Sequence, residues 1–110
     1  MLKDLQVPVK EFAENSTESG YLIQKAEASK RRADGTLSVW PRVILADKQT
    51  GEKFSLSLGK AAADVMAVLV IGRFTVIKKG KKMGKGDNGY FPYSVQQDDE
   101  DVMDGEGLTQ

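Results

Sequence analysis

From residue 20 to residue 97 apolar side chains recur mainly at every second position, the spacing of half-buried strands, and one stretch alone keeps helical spacing. Residues 21–30 read as a first strand, with Leu22, Ala26 and Ala28 on one face and Tyr21, Ile23 and Lys25 on the other. Asp34-Gly35 then signals a hairpin turn, because glycine takes positive φ without steric cost. Residues 37–46 form a second strand: Leu37, Val39, Val43 and Leu45 share one face, Trp40, Arg42 and Ile44 the other, and Pro41 marks a bulge or an edge. After the turn at Asp47 to Gly51, residues 52–58 give the cleanest alternation, with Phe54, Leu56 and Leu58 opposite Lys53, Ser55 and Ser57. Residues 60–68 are alanine-rich, and Ala62, Val65, Met66 and Leu69 follow the period of a helix that Gly72 ends. A fourth strand covers 73–79 and a fifth 90–96, joined by a glycine- and lysine-rich loop that closes on Asn88-Gly89.

The ends differ from this middle. Residues 1–19 are polar, with Val7, Val9 and Phe12 as the only anchors, and read as an extension that docks weakly or stays disordered. Residues 98–110 have little to bury and read as a disordered acidic tail.

Charge sharpens this division. The chain has 110 residues and no net charge, yet all sixteen Lys and Arg lie between Lys3 and Lys85. Sixteen cations against ten acids leave residues 1–97 at +6, and six acids put residues 98–110 at −6. A basic body suits a polyanion, and an acidic tail suits competition for the same surface or recruitment of another protein; a merely solubilising tail accounts for the asymmetry equally well. The chain has no cysteine, so neither a disulfide nor a thiolate metal site holds it together. With no signal-like apolar run at the start and no stretch long enough to span a bilayer, the expectation is a cytoplasmic protein without membrane contact.

Three strands, a helix and two further strands resemble the OB-fold, a small five-stranded Greek-key barrel that binds oligonucleotides on one face and its flanking loops. The fold expected is therefore mainly β: an OB-like barrel over residues 20–97 with one helix between strands three and four. With the acidic tail added, the chain resembles single-stranded-DNA-binding proteins of the phage-encoded kind. That resemblance implies single-stranded DNA as partner and replication or recombination proteins as partners of the tail. The tail departs from the bacterial pattern at its end, Gly107-Leu108-Thr109-Gln110, which lacks a terminal Pro-Phe.

Binding of unpaired strands without sequence preference needs a cationic groove for the phosphates and flat side chains for the bases. Trp40 and Arg42 share a polar strand face and are the leading stacking pair; Trp40 can equally fill the barrel end or a subunit contact. Tyr90 and Tyr21 are further aromatic candidates, and Lys53 adds a cation on strand three. Two hairpin loops are basic: Lys30, Arg31 and Arg32 in one, and Lys79, Lys81, Lys82 and Lys85 around the other. These are the two loops with which OB-folds commonly embrace a strand.

Catalysis finds no support. Histidine and cysteine are absent, which removes the commonest general base, the commonest thiol nucleophile and the commonest transition-metal ligands. Gly80 to Lys85 is not a phosphate loop, since the glycine spacing is short, Gly86 rather than Ser or Thr follows Lys85, and a strand rather than a helix comes next. No metal or cofactor is expected. Two other readings stay open: a protein-interaction module, such as a phage inhibitor or adaptor working through the acidic tail, and an RNA-binding barrel. A homodimer through an exposed edge strand is compatible with each.

Overall fold

The computed structural model describes residues 7–59, 62–86 and 89–103. Five antiparallel strands form one sheet: β1 (Thr17–Arg31), β2 (Leu37–Ala46), β3 (Lys53–Ser57), β4 (Arg73–Lys79) and β5 (Tyr93–Val102). Their order across the sheet is β3-β2-β1-β4-β5, and a short helix, α1 (Ala63–Val68), lies in the chain between β3 and β4. The two acidic turns work as their sequences require. The Asp34 carboxylate accepts from both the N–H and the hydroxyl of Thr36, that of Asp47 accepts from the N–H groups of Gln49 and Thr50, and these bonds hold both acids below the usual carboxylate range. Gly35 and Gly51 close the two turns at φ 90° and 76°.

Cross-strand partners share a face, so the register sorts the side chains into two sets. On the inner face Leu22 meets Leu45, Val43 meets Leu56 and Ile77 meets Val95; Leu22, Val43, Leu45, Leu56 and Ile77 are fully buried. Met66 of α1, Leu58, Leu69 and Phe12 complete this core. The outer face carries Trp40, Arg42 and Ile44 of β2 and Tyr21 of β1.

Four expectations are corrected here. First, strict alternation placed Ala26 and Ala28 with Leu22, but the β1–β2 register shifts between Leu22 and Gln24. One extra residue in a strand flips every side chain beyond it. Ala26 and Ala28 therefore stand opposite Arg42 and Trp40 on the outer face, and Lys25 turns inward opposite Val43. Its Nζ donates to the carbonyls of Met66 at 3.2 Å and Leu69 at 2.9 Å at the end of α1, where Met66 O also accepts from Leu69 N–H.

Second, the sheet is open. β3 and β5 are its edges, and β3 spends its outward groups elsewhere: Ser55 N–H donates to Pro8 O, and Lys10 N–H to Ser55 O, both at 2.8 Å. The link between the two edges is a side chain, the Tyr93 hydroxyl accepting from Gly59 N–H at 3.0 Å. Third, the N-terminal segment belongs to the body, because Phe12 is only 7 % exposed and packs 6.0 Å from the Tyr93 ring. Fourth, the boundary at residue 98 is misplaced: Asp98 to Val102 lie within β5, and Met103 N–H donates to Gly72 O. The rest of the expected tail, with Leu108, lies outside the described residues, as do the start of the expected helix at residues 60–61 and the Asn88 turn signal.

Candidate nucleic-acid interface

Trp40 stands in the outer half of the β1–β2 ladder, partly buried, opposite Ala28. A methyl group leaves the indole without a bulky cross-strand neighbour. A cleft of about 400 Å³ opens there, lined by Lys30, Arg31, Arg32, Ala33, Ser38 and Trp40. Hairpin geometry brings these residues together. Lys30 pairs with Ser38 and Arg31 with Leu37, and the turn beyond is closed by Arg32 N–H on Thr36 O at 2.7 Å. Arg31 Nη1 also donates to Gly35 O at 2.8 Å, which fixes that guanidinium against the turn.

Arg42 continues the outer face between Ala26 and Ser57. Its Nε is buried without a hydrogen-bond partner, as is Ser55 Oγ on the same face. Leaving a buried donor unpaired costs on the order of 1–3 kcal/mol. Lys53 is exposed but faces Ala46, four positions along β3 from the residue opposite Arg42, so it lies apart from the Trp40 cleft.

The other candidates are placed differently. Tyr21 is partly buried, and its hydroxyl donates to Asp101 Oδ1 at 2.8 Å while its ring sits edge-on to Phe74, 5.7 Å between centroids. Asp101 also pairs with Lys48, whose Nζ lies 4.9 Å over the Phe74 ring. The bond to Asp101 raises the Tyr21 phenol above its ordinary range, and the bonds from Lys48 and Tyr21 hold Asp101 below the carboxylate range. Sequence reasoning missed Lys48, Phe74 and Asp101 as a unit because Asp101 was counted with the tail; the apolar Val102 beside it is the signal that the strand continues.

Lys79 is taken up by the fold. Its Nζ donates to Phe12 O at 2.9 Å and lies 4.2 Å from the centre of the Phe91 ring. Tyr90 is 49 % exposed, and its backbone exchanges two hydrogen bonds with Met83. Lys81, Lys82 and Lys85 are exposed in the same loop. That loop springs from the end of β4 where Lys78 faces Thr17, the first residue of β1; the Arg31 hairpin springs from the last. The fold thus joins Trp40 to Lys30, Arg31 and Arg32, and sets Tyr90 with Lys81, Lys82 and Lys85 at the opposite end of β1.

The first group has the chemistry of a strand-binding cleft: one flat indole, three cations within a few residues of it, and small polar or methyl side chains between. Among the described residues no cluster of three or more acids is placed to hold a metal ion, and no helix is long and apolar enough to cross a membrane. No family model matches the chain, no curated protein matches its sequence, and no solved structure matches its fold.

Proposed function

We propose that this protein binds single-stranded DNA without sequence preference, in the manner of the OB-fold single-stranded-DNA-binding proteins, and protects it during replication or recombination. The observation that carries the proposal is the shared cleft of Trp40 with Lys30, Arg31 and Arg32. An unpaired base stacks on the indole, and the flanking phosphates meet the hairpin cations. A duplex offers no free base face to a single recessed indole, so discrimination against double strands follows from shape. Cysteine-free composition suits the reducing cytoplasm, where such strands arise.

Titration with oligo-dT at low and high salt tests the proposal. Trp40 is the sole tryptophan, so its emission reports the cleft directly. Quenching by oligo-dT, its steep weakening as salt releases counterions, and feeble competition by duplex are the expected results. Absence of quenching together with absence of a mobility shift at low salt excludes the proposal, and preference for oligo-U over oligo-dT reassigns the cleft to RNA.

A further inference from the structure

We infer that the free edge of β5 pairs with the same edge of a second copy of this chain, giving a two-fold dimer in which the lysine loop of each copy meets the acidic strand end of the other. The two edges of the sheet are treated differently by the fold. The β3 edge is covered from within, by the bonds of Ser55 to Pro8 and Lys10. Among the described residues the backbone of Tyr93 to Gln97 makes no hydrogen bond besides its ladder to β4, and this stretch carries no charge and no proline. The irregular part of β5 lies beyond it, where the register with β4 shifts between Asp98 and Val102 and Glu100 N–H donates to Asp98 Oδ1. An edge of this kind presents unpaired N–H and C=O groups ready for another strand, and natural edges are usually blunted by a charge or a proline within the strand.

Charge selects the occupant. One end of this edge carries Lys81, Lys82 and Lys85, all exposed, in the loop that leads into β5. The other end carries Asp98, Asp99 and Glu100, also exposed. Asp101 takes no part, being held by Lys48 and Tyr21. A strand that is basic at one end and acidic at the other repels a parallel copy and attracts an antiparallel one. Antiparallel pairing centred near Val95 sets Tyr93 opposite Gln97 of the second copy, so that the acidic end of β5 that starts at Asp98 lies toward Pro92 and the root of the partner copy's lysine loop. The contact is isologous, so both ends of the interface gain the same complementarity and the assembly closes at two.

This inference also accounts for a lysine loop that the fold keeps out of the Trp40 cleft. It does not depend on the nucleic-acid proposal: the association is measured without DNA, and the strand-binding titration reads Trp40 at the far end of β1.

Sedimentation velocity of the full chain over a concentration series, at low and at high salt, tests it. The expected result is a monomer–dimer equilibrium whose dissociation constant rises at high salt. Two variants complete the test, K81E/K82E/K85E and D98K/D99K/E100K. Each alone places like charges at both ends of the interface, and its dimer is weakened by roughly tenfold or more. Mixing the two restores association, because each loop then meets an end of opposite sign; recovery on mixing also shows that both variants are folded. A wild-type chain that stays monomeric at its highest soluble concentration in low salt, or a dimer indifferent to both charge reversals, overturns the inference.

Discussion

Trp40 owes its position to its neighbours: Ala28 across the ladder leaves room over the ring, and Pro41 beside it in the chain is buried while the indole is not. Because the ring stays partly solvated, its removal acts on binding more than on folding. W40A should lose about 1–3 kcal/mol of affinity for oligo-dT, the worth of one stacked base, with the urea midpoint nearly unchanged; fluorescence anisotropy with labelled oligonucleotide measures the first and circular dichroism the second. Asp101 acts in the reverse sense, on the body rather than the ligand. Its pKa is depressed in the folded chain by Lys48 and Tyr21, so its contribution to stability is present above the ordinary carboxylate range and fades as pH falls through the depressed value. Tyr21 is raised chiefly by Asp101, so its contribution holds below the ordinary phenol range and is lost as pH rises through the elevated value. Burial raises Tyr93 by a separate route. A phenolate absorbance titration should therefore find Tyr21 and Tyr93 titrating late, and D101A should move Tyr21 back toward the ordinary range. The urea midpoints of D101A and wild type should differ at neutral pH and converge in acid.

At the scale of elements, the N-terminal segment is the sharpest divergence between sequence pattern and fold. Its apolar residues are scattered in a polar stretch, and the short alternation of Leu5, Val7 and Val9 stops before Phe12. Yet Phe12 reaches the core beside Tyr93, Pro8 and Lys10 cover the β3 edge, and Phe12 O receives Lys79. F12A should cost about 3 kcal/mol in urea unfolding, the usual range for emptying a buried aromatic site, whereas a loosely attached extension would leave the midpoint in place. The central strands were legible for the opposite reason. Phe54, Leu56 and Leu58 alternate with polar residues, and a one-sided core requires that period. The bulge at β1 was not legible, since Ile23 follows the equally apolar Leu22 and only the pairing with β2 shows it to be the extra residue. Its consequence reaches the candidate site: without the shift, Ala28 would face the core and Trp40 would have a different partner.

Across the whole molecule, the balance of charge was legible and its placement only partly so. The split into a basic body and acidic end is a property of the sequence, but the acids begin inside β5, where Asp101 ties the strand to Tyr21 and Lys48. Cutting the chain before Asp98 therefore removes part of the sheet along with the charge, and any change in DNA binding after such a cut mixes unfolding with electrostatics. Neutralising Asp98, Asp99 and Glu100 as D98N/D99N/E100Q separates the two, because it keeps the strand and Asp101 and raises the net charge by three. Repulsion between these exposed acids and the phosphates acts at long range, so it is strong at low salt and largely screened beyond a Debye length of about 10 Å at 0.1 M salt. The variant should bind oligo-dT several-fold more tightly than wild type at low salt and equally at high salt, at protein concentrations dilute enough to keep both monomeric. Equal affinity at low salt would mean that the acidic end neither shields nor repels the path of the strand, and its charge would then belong to the edge contact alone.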